Sequence, residues 1–249
     1  MLSIEQVHDF EHYGFVLVDQ VFSPEELGVL LSHLDSDRVT SRTGDMPDAA
    51  GLSSKIALWA EIGGDVFGAV SAHPRMVGAA RQLLREDVYH WHSKVMLKEP
   101  RVGGAWEWHQ DYGYWYGDGC LYPRLVSGML ALDRATRENG CLKVLAGSHR
   151  LGRLDHGGVG KQAGVESERL RAVEERLQMV YAEAEPGSVL WFDCNLLHSS
   201  EANLSEFPRR SYICCYNALS NAPYGRGGHG KPEPIQVVPD DTILRFAQA

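Results

Sequence analysis

The segment Trp106-Glu-Trp-His109-Gln-Asp111 is the most informative part of this chain. Residues i and i+2 of a β-strand point to the same face, so His109 and Asp111 can present an imidazole and a carboxylate to one point. His198 offers a third donor at the end of residues 187–198, a run that resembles a turn, a strand and its exit. Two imidazoles and one carboxylate leave three positions open on an octahedral ion, the arrangement typical of iron(II) oxygenases. A structural zinc site would instead close all four of its positions.

His-x-Asp alone is a weak signal, because a chain with 11 histidines and 33 acidic residues often contains it by chance. Arg209 and Ser211 strengthen the interpretation, since they open the next predicted strand and share one face of it. A buried arginine offers a two-pronged donor for a carboxylate, and a serine hydroxyl can add one hydrogen bond. An iron-chelating 2-oxo acid with a second carboxylate needs such a pair. The alternative is that Arg209 forms a surface salt bridge.

Two further residues are candidates for the same pocket. Lys94 lies in a strand ahead of the His-x-Asp segment, among Tyr, Trp, Val and Met, and can hold a carboxylate as a point charge. The alternative is a solvent-facing lysine on an alternating strand. Ser127, in a later strand, is the weaker candidate.

The pattern from Val88 onward predicts a mainly β fold. Short runs rich in β-branched and aromatic residues are separated by Gly, Pro, Asn and Asp, which is typical of a sandwich or barrel. The predicted strands are residues 88–97, 105–109, 125–132, 142–145, 180–183, 189–192 and 211–218. One helical insertion is expected near residues 167–178, and the Gly-rich residues 224–230 are typical of a loop. Because there is no internal repeat or low-complexity linker, we expect a single domain over residues 1–249.

The first 87 residues or so are expected to form a helical region that packs on a β core of about residues 88–240. Ser3 and Gln6 fit a capping box for a helix that buries Ile4, Val7 and Phe10 and stops at Gly14. A short strand is predicted at 15–18, a second helix after Ser23, and a third near 74–85. The polar residues 35–51 are expected to form a loop or lid.

Composition excludes several classes of function. The formal net charge is −9 and there is no block of five or six basic residues, so nucleic acid is not an expected partner. No apolar run reaches the length of a membrane span, and the first residues do not resemble a signal peptide. The five cysteines include no C-x-x-C pair, which favours reduced thiols over a disulfide framework. We therefore expect a cytoplasmic protein; its oligomeric state is left open.

Taken together, the motifs resemble the phytanoyl-CoA dioxygenase family, and within it the ectoine and free amino-acid hydroxylases. The similarity runs along most of the chain: the helix–Tyr-Gly-Phe-strand–Ser-Pro-Glu-Glu helix at the start, Trp108-His-Gln-Asp-Tyr112 with Trp115, Asn139-Gly-Cys-Leu, Gly147-Ser-His149, Pro186-Gly-Ser-Val, His198 and Arg209-x-Ser211. In two places the chain departs from common family patterns, with Cys141 where Pro is frequent and Ala146 where Pro is frequent.

The resemblance implies a double-stranded β-helix (a jelly roll), iron(II), 2-oxoglutarate as co-substrate, and dioxygen. By position, His109, Asp111 and His198 match the family's iron ligands and Arg209 matches the arginine that holds the far carboxylate of 2-oxoglutarate. Lys94 and Ser127 fall where relatives carry a basic residue and a Ser or Thr. Related halogenases replace the carboxylate ligand with Gly or Ala, so Asp111 favours hydroxylation.

A small-molecule substrate is expected beside the metal, and its identity stays open. The segment is crowded with aromatic residues, about half of which are expected to pack the core. Tyr112 and Trp115 are the best substrate-facing candidates, because the resembling hydroxylases use this segment near their substrates. The predicted reaction is hydroxylation of an aliphatic C–H bond, with release of succinate and carbon dioxide. Two alternatives remain: desaturation, ring formation or epimerisation at the same site, and a non-catalytic jelly roll that binds a metal or a small acid.

Overall fold

The structure, a computed structural model, describes residues 1–159, 162–225 and 231–248. Its strands are β1 (Phe15–Val18), β2 (Thr43–Pro47), β3 (Ser53–Trp59), β4 (Val88–Lys98), β5 (Trp106–His109), β6 (Leu125–Ala131), β7 (Leu142–Leu145), β8 (His156–Val159), β9 (Gln162–Val165), β10 (Met179–Ala182), β11 (Val189–Asp193), β12 (His198–Ser200) and β13 (Arg209–Ala218). Its α-helices are α1 (Ile4–Tyr13), α2 (Pro24–Ser32), α3 (Asp37–Thr40), α4 (Val66–Ser71), α5 (Pro74–Leu84), α6 (Asp111–Trp115), α7 (Ser167–Glu174) and α8 (Thr242–Arg245). Two 3₁₀ turns cover Ser148–Leu151 and Phe246–Gln248.

The strands form two main antiparallel sheets. The larger has the order β1-β11-β6-β13-β4-β3-β2 and the smaller has the order β10-β7-β12-β5, while β8 and β9 form a separate hairpin. Every predicted strand is present within a residue or two of its expected bounds. The mainly β jelly roll predicted from the sequence is therefore confirmed.

The larger sheet separates two hydrophobic layers. Tyr212, Cys214 and Tyr216 of β13 pack in the layer that contains α4 and α5. Ile213 and Cys215, which alternate with them, pack in the layer shared with the smaller sheet. This period-two alternation places the odd-numbered residues of β13, beginning with Arg209, between the two sheets.

The N-terminal helices begin and end largely as predicted. Ser3 and Gln6 form a reciprocal capping box and α1 ends at Gly14, which adopts the left-handed conformation. The expected burial of Ile4 is wrong, because Ile4 is 92% exposed whereas Phe10 is buried. Ile4 is the first residue of α1 and lies off the stripe through Phe10 that faces the protein.

Residues 35–51 are not the loop that the sequence predicted. The segment contains α3 and the strand β2, and β2 pairs with β3 at the edge of the larger sheet. The sequence of β2, Thr-Gly-Asp-Met-Pro, is rich in residues that strands disfavour, so its pairing depends on the free edge of β3.

Residues 1–87 therefore contribute more than helices to the fold. Three strands, β1, β2 and β3, belong to the larger sheet. The helix α4, capped by Asp65, was also not predicted. Of the loop expected at 224–230, residues 226–230 lie outside the described residues.

Gly187 provides a test of the turn before β11. It has φ +86°, and an added Cβ would lie 2.3 Å from the carbonyl oxygen of Phe22. We expect Gly187→Ala to lower the free energy of unfolding by about 2–4 kcal/mol, because left-handed strain and a backbone clash add. Denaturant titration measures this change.

Gly147→Ala is the matched control, because Gly147 has φ +83° and nothing within 4 Å of an added Cβ. We expect it to cost only the conformational penalty, about 1 kcal/mol. Equal losses in the two variants would contradict the proposed clash.

Candidate metal centre

Three side chains from separate elements converge between the sheets. His109 is the last residue of β5, Asp111 is the first residue of α6, and His198 is the first residue of β12. The strands β5 and β12 pair antiparallel with His198 opposite His109. The ligand atoms of the three residues all lie within 4.8 Å of one another, and Asp111 Oδ1 is 4.0 Å from each histidine Nε2. This is the grouping that the sequence predicted.

Backbone carbonyls orient both imidazoles. His109 Nδ1 lies 2.7 Å from the carbonyl oxygen of Glu107, and His198 Nδ1 lies 2.9 Å from that of Leu196. A carbonyl only accepts, so each Nδ1 carries the proton and each Nε2 presents its lone pair toward Asp111. Such outer contacts are typical of metal-ligating histidines.

The charges of the three groups suit a divalent cation at neutral pH. Burial lowers the pKa of both His109 and His198, which keeps the imidazoles neutral. Burial alone would raise the pKa of Asp111, but Lys94 and the surrounding histidines together outweigh it and hold the pKa below the usual range. Neutral imidazoles and an ionised carboxylate are the forms that bind a metal.

Two predicted residues support Asp111. Ser127 is fully buried, and its hydroxyl donates to Asp111 Oδ2 at 3.0 Å. Lys94 Nζ lies 3.9 Å from Asp111 Oδ1. Ser127 was predicted to contact the co-substrate. In the structure its hydroxyl donates to the Asp111 carboxylate, and Ser127 does not line the pocket that contains His109, His198 and Arg209.

Gln110, which the sequence did not assign to the site, fastens the two ligand-bearing segments together. Its side-chain amide donates to the carbonyls of Asn195 and Gly152 at 2.7 and 2.8 Å. A backbone bond from Tyr112 N to the carbonyl of Cys194 adds a second link at 2.9 Å. The only available signal was that Gln110 lies between two ligands and must satisfy its amide inside the core.

A narrow inner pocket extends from the histidines to Arg209. Its apolar walls are Ile56, Met96, Met129, Leu142, Phe192 and Ile213. Arg209 is only 3% exposed, and its Nη2 donates to the Met129 sulfur at 3.8 Å. Among the described residues no carboxylate forms an ion pair with it. Burial lowers its pKa to about 10, so the guanidinium is still charged at neutral pH.

Serine hydroxyls complete the polar part of this pocket. Ser200 lines it together with Arg209, although sequence analysis did not select it. Its spacing of two residues from His198 on the same strand was the available signal. Ser211, which was predicted, is 2% exposed, and its hydroxyl has no hydrogen-bond partner among the described residues. It lies between Arg209 and Ile213 on β13.

A second cavity of about 320 Å³, here called the outer cavity, also borders the triad. Its lining includes Lys94, His109 and Asp111, together with Met46, Ile56, Leu58, His92, Trp106, Tyr114, Trp115, Asp118, Gln162 and Ala163. Trp106 lines both cavities. Its indole N–H is buried and has no partner among the described residues.

Of the two predicted substrate-facing residues, the structure brings only Trp115 to this cavity. Tyr112 is 3% exposed in the core, and its hydroxyl donates to the carbonyl of Cys120 at 3.1 Å. Tyr112 was selected because the resembling hydroxylases use this segment near their substrates, but it directly follows Asp111 and its side chain turns into the core. Helical periodicity in α6 places Tyr114 and Trp115 near the face of Asp111, and Asp118 follows in the turn after the helix.

The sequence profile of the phytanoyl-CoA dioxygenase (PhyH) family matches residues 10–211. The ectoine dioxygenase of Sphingopyxis alaskensis is 31% identical over 255 aligned residues, covering 94% of this chain and 81% of that protein. A crystal structure of EctD from S. alaskensis with 2-oxoglutarate and 5-hydroxyectoine superposes with a TM-score of 0.76 at 28% identity, over 95% of this chain and 87% of that one. A further EctD structure, with bound Fe, gives a TM-score of 0.76 at 26% identity, with the same coverage.

The chain belongs to the phytanoyl-CoA dioxygenase family. It is an iron- and 2-oxoglutarate-dependent dioxygenase that acts on a small molecule. No helix among the described residues is long and apolar enough to cross a membrane.

The hydrogen bond from Ser127 to Asp111 leads us to expect that Ser127 contributes to metal affinity. We expect Ser127→Ala to weaken iron(II) binding by about 10-fold or more, because the carboxylate loses the contact that orients it. Anaerobic titration of the apoprotein with iron(II) measures the dissociation constant.

Ser188→Ala is the matched control. Ser188 is also fully buried and donates to an aspartate, Asp19, at 3.1 Å, but it lies outside the metal centre. We expect it to leave the metal affinity unchanged. The role assigned to Ser127 is wrong if the two variants bind iron(II) equally well.

Proposed function

We propose that this enzyme hydroxylates an aliphatic C–H bond of a small zwitterionic metabolite and converts 2-oxoglutarate to succinate and carbon dioxide. His109, Asp111 and His198 hold the iron. Arg209 binds the far carboxylate of 2-oxoglutarate. The observation that carries the proposal is a buried guanidinium without a carboxylate partner among the described residues, in the same pocket as two candidate metal ligands.

The inner pocket suits a short dicarboxylate. His198 and Ser200 are two residues apart on β12, a separation of about 6.6 Å along a strand. A co-substrate that chelates the metal at one end can therefore reach Ser200 and Arg209 with the other. Ser211, between Arg209 and Ile213 on the same face, offers an unused hydroxyl to the same carboxylate. Lys94, which borders both cavities, balances the charge of Asp111 on the metal side.

Bound iron and 2-oxoglutarate supply the oxidising power of such an enzyme. The protein's own residues bind, orient and exclude water. The apolar walls of the inner pocket keep solvent from the co-substrate, and the backbone carbonyls of Glu107 and Leu196 hold the imidazoles in their binding tautomer. No side chain is required as a general acid or base.

The outer cavity supports a small substrate with both polar and cationic character. A volume of about 320 Å³ is at the lower end for ligand pockets. Trp106, Tyr114 and Trp115 form an aromatic wall that favours a cation through its π faces, and Asp118 adds a carboxylate. Ectoine is a first candidate, because the relatives include a protein named ectoine dioxygenase.

We also propose that the enzyme acts in the cytoplasm. All five cysteines are free and buried in the structure, which suits a reducing compartment.

The proposal predicts a large effect of Arg209→Met. We expect the KM for 2-oxoglutarate to rise by about 30-fold or more, because a buried charge pair loses one member. Succinate formation in the presence of iron(II) and a panel of small zwitterions, ectoine included, measures the reaction. A product that gains one oxygen identifies hydroxylation, whereas loss of two hydrogens identifies desaturation or ring closure.

Arg210→Met is the matched control. Arg210 is the neighbouring residue, but it forms a two-pronged ion pair with Asp133 on the other side of β13. We expect its KM for 2-oxoglutarate to be unchanged. The proposed function fails if no member of the panel supports succinate formation dependent on iron and 2-oxoglutarate, or if both arginine variants behave alike.

The buried indole N–H of Trp106 makes a separate prediction. Trp106→Phe keeps an aromatic ring but removes the donor, so we expect a KM up to about 10-fold higher for the substrate or the co-substrate. Trp59→Phe is the control, because its indole N–H is also buried without a partner among the described residues but borders neither cavity. Unchanged KM values for both ligands in Trp106→Phe would remove Trp106 from the binding site.

A further inference from the structure

Lys98 is a buried lysine immediately behind the end of the inner pocket that is lined by Arg209 and Ser200. It is 0% exposed and lies at the end of β4, directly opposite Arg209 of β13. Its amine donates to Ser200 Oγ at 2.9 Å and to the carbonyl oxygen of Glu201. Among the described residues no carboxylate forms an ion pair with it. Lysine is almost never fully buried without a partner, so this position requires an explanation.

The contact with Ser200 determines what that serine can do. A hydroxyl has one proton, and because Ser200 Oγ accepts from Lys98, its own proton is available to an acceptor elsewhere. No protein acceptor for that proton is found among the described residues, and Ser200 lines the same pocket as Arg209. Once Lys98 is protonated it has no lone pair to accept this proton, so the Ser200 hydroxyl is then a donor toward the inner pocket.

The surrounding backbone holds Lys98 in this position. Gly140 has φ +77°, and a Cβ added there would lie 3.2 Å from Lys98 Nζ and 2.3 Å from the Glu201 carbonyl. The amine is thus enclosed between Gly140, Ser200 and Glu201 and has little room to turn away.

Two basic groups on adjacent strands lie at this end of the pocket, with Arg209 in its lining and Lys98 behind it. Neighbouring groups act on Lys98 from every element packed against it: Arg209 on β13, Asp48 before β3, Cys141 before β7 and Glu201 after β12. Burial and then the Arg209 charge lower the pKa of Lys98 to about 6, and the acidic groups only partly offset this. The Glu201 carboxylate is itself paired with Lys143 at 3.0 Å.

We propose that Lys98 is a positioning residue for the far carboxylate of 2-oxoglutarate, fixing the Ser200 hydroxyl as a donor and taking up a proton when the dianion binds beside Arg209. The inference rests on the proposed function. An arriving carboxylate favours the charged amine, so binding raises the pKa of Lys98. By linkage, the affinity for 2-oxoglutarate falls as the pH rises above the pKa of the free enzyme, by up to about 10-fold per pH unit.

Calorimetry tests this with the iron(II)-loaded full chain under anaerobic conditions. 2-Oxoglutarate is titrated at pH 7.5 in two buffers of different ionisation enthalpy, which yields the number of protons taken up. We expect net proton uptake by the unaltered protein. In Lys98→Met we expect no uptake and an affinity about 10-fold lower or more, because a charged donor is lost.

Lys143→Met is the matched control, since Lys143 also contacts Glu201 but, among the described residues, forms no hydrogen bond with Ser200. We expect it to retain both the proton uptake and the affinity. If Lys98→Met does not fold, Ser200→Ala gives an independent test: the affinity should fall several-fold while the proton uptake persists.

The outcomes separate this inference from the proposed function. If the unaltered protein binds 2-oxoglutarate without proton uptake, or if Lys98→Met matches it in affinity and uptake, the role of Lys98 is overturned and the proposed function is not. If the unaltered protein does not bind 2-oxoglutarate at all, both are overturned.

Discussion

The antiparallel pairing of β5 with β12 is the constraint on which the site depends. It sets His198 opposite His109, although 88 residues separate them in the chain, and a register shift of one residue would turn one imidazole to the other face of the sheet. The bonds from Gln110 to Asn195 and from Tyr112 to Cys194 lock the neighbouring loops in the same relation. Metal ligands must meet within a few tenths of an ångström, so a rigid ladder supports them better than loops alone.

The two sheets contribute different polar and charged groups to the buried site. The smaller sheet carries the two histidines, while the larger sheet carries Lys94, Lys98 and Arg209. Asp111, between them, is stabilised as a carboxylate by Lys94 and Ser127. Arg209, at the far end of the pocket, forms no ion pair with a carboxylate among the described residues. A buried cation without a counter-charge is costly to fold, which favours an anion beside it.

The strand-alternation rule selected the right pair of ligands, His109 and Asp111, although its premise is only partly correct. His109 and Asp111 do converge, but not as alternate residues of one strand, because β5 ends at His109 and α6 begins at Asp111. The strand rule therefore found the two ligands although the strand ends between them. Tyr112 was selected by resemblance to related hydroxylases, not by alternation, and it packs in the core. Tyr114 and Trp115 reach the cavity because a helix repeats every 3.6 residues. The edge strand β2 was missed because its residues have little strand propensity. It forms because the exposed edge of β3 is available to pair with it.

Local patterns in the sequence determined most of the framework: the capped helices, the β-rich second half, the parity of β13 that turns Arg209 inward, and the donor types of the triad. These follow from rules that act over a few residues, such as capping, alternation and the chemistry of imidazole and carboxylate. Only the tertiary structure decided which distant residues became neighbours. The pairing of Ser127 with Asp111, the position of Lys98 behind Ser200, and the lining of the outer cavity all depend on strand order and register between segments far apart in the chain. Those relations arise from packing two sheets around one core, and no short stretch of sequence encodes them.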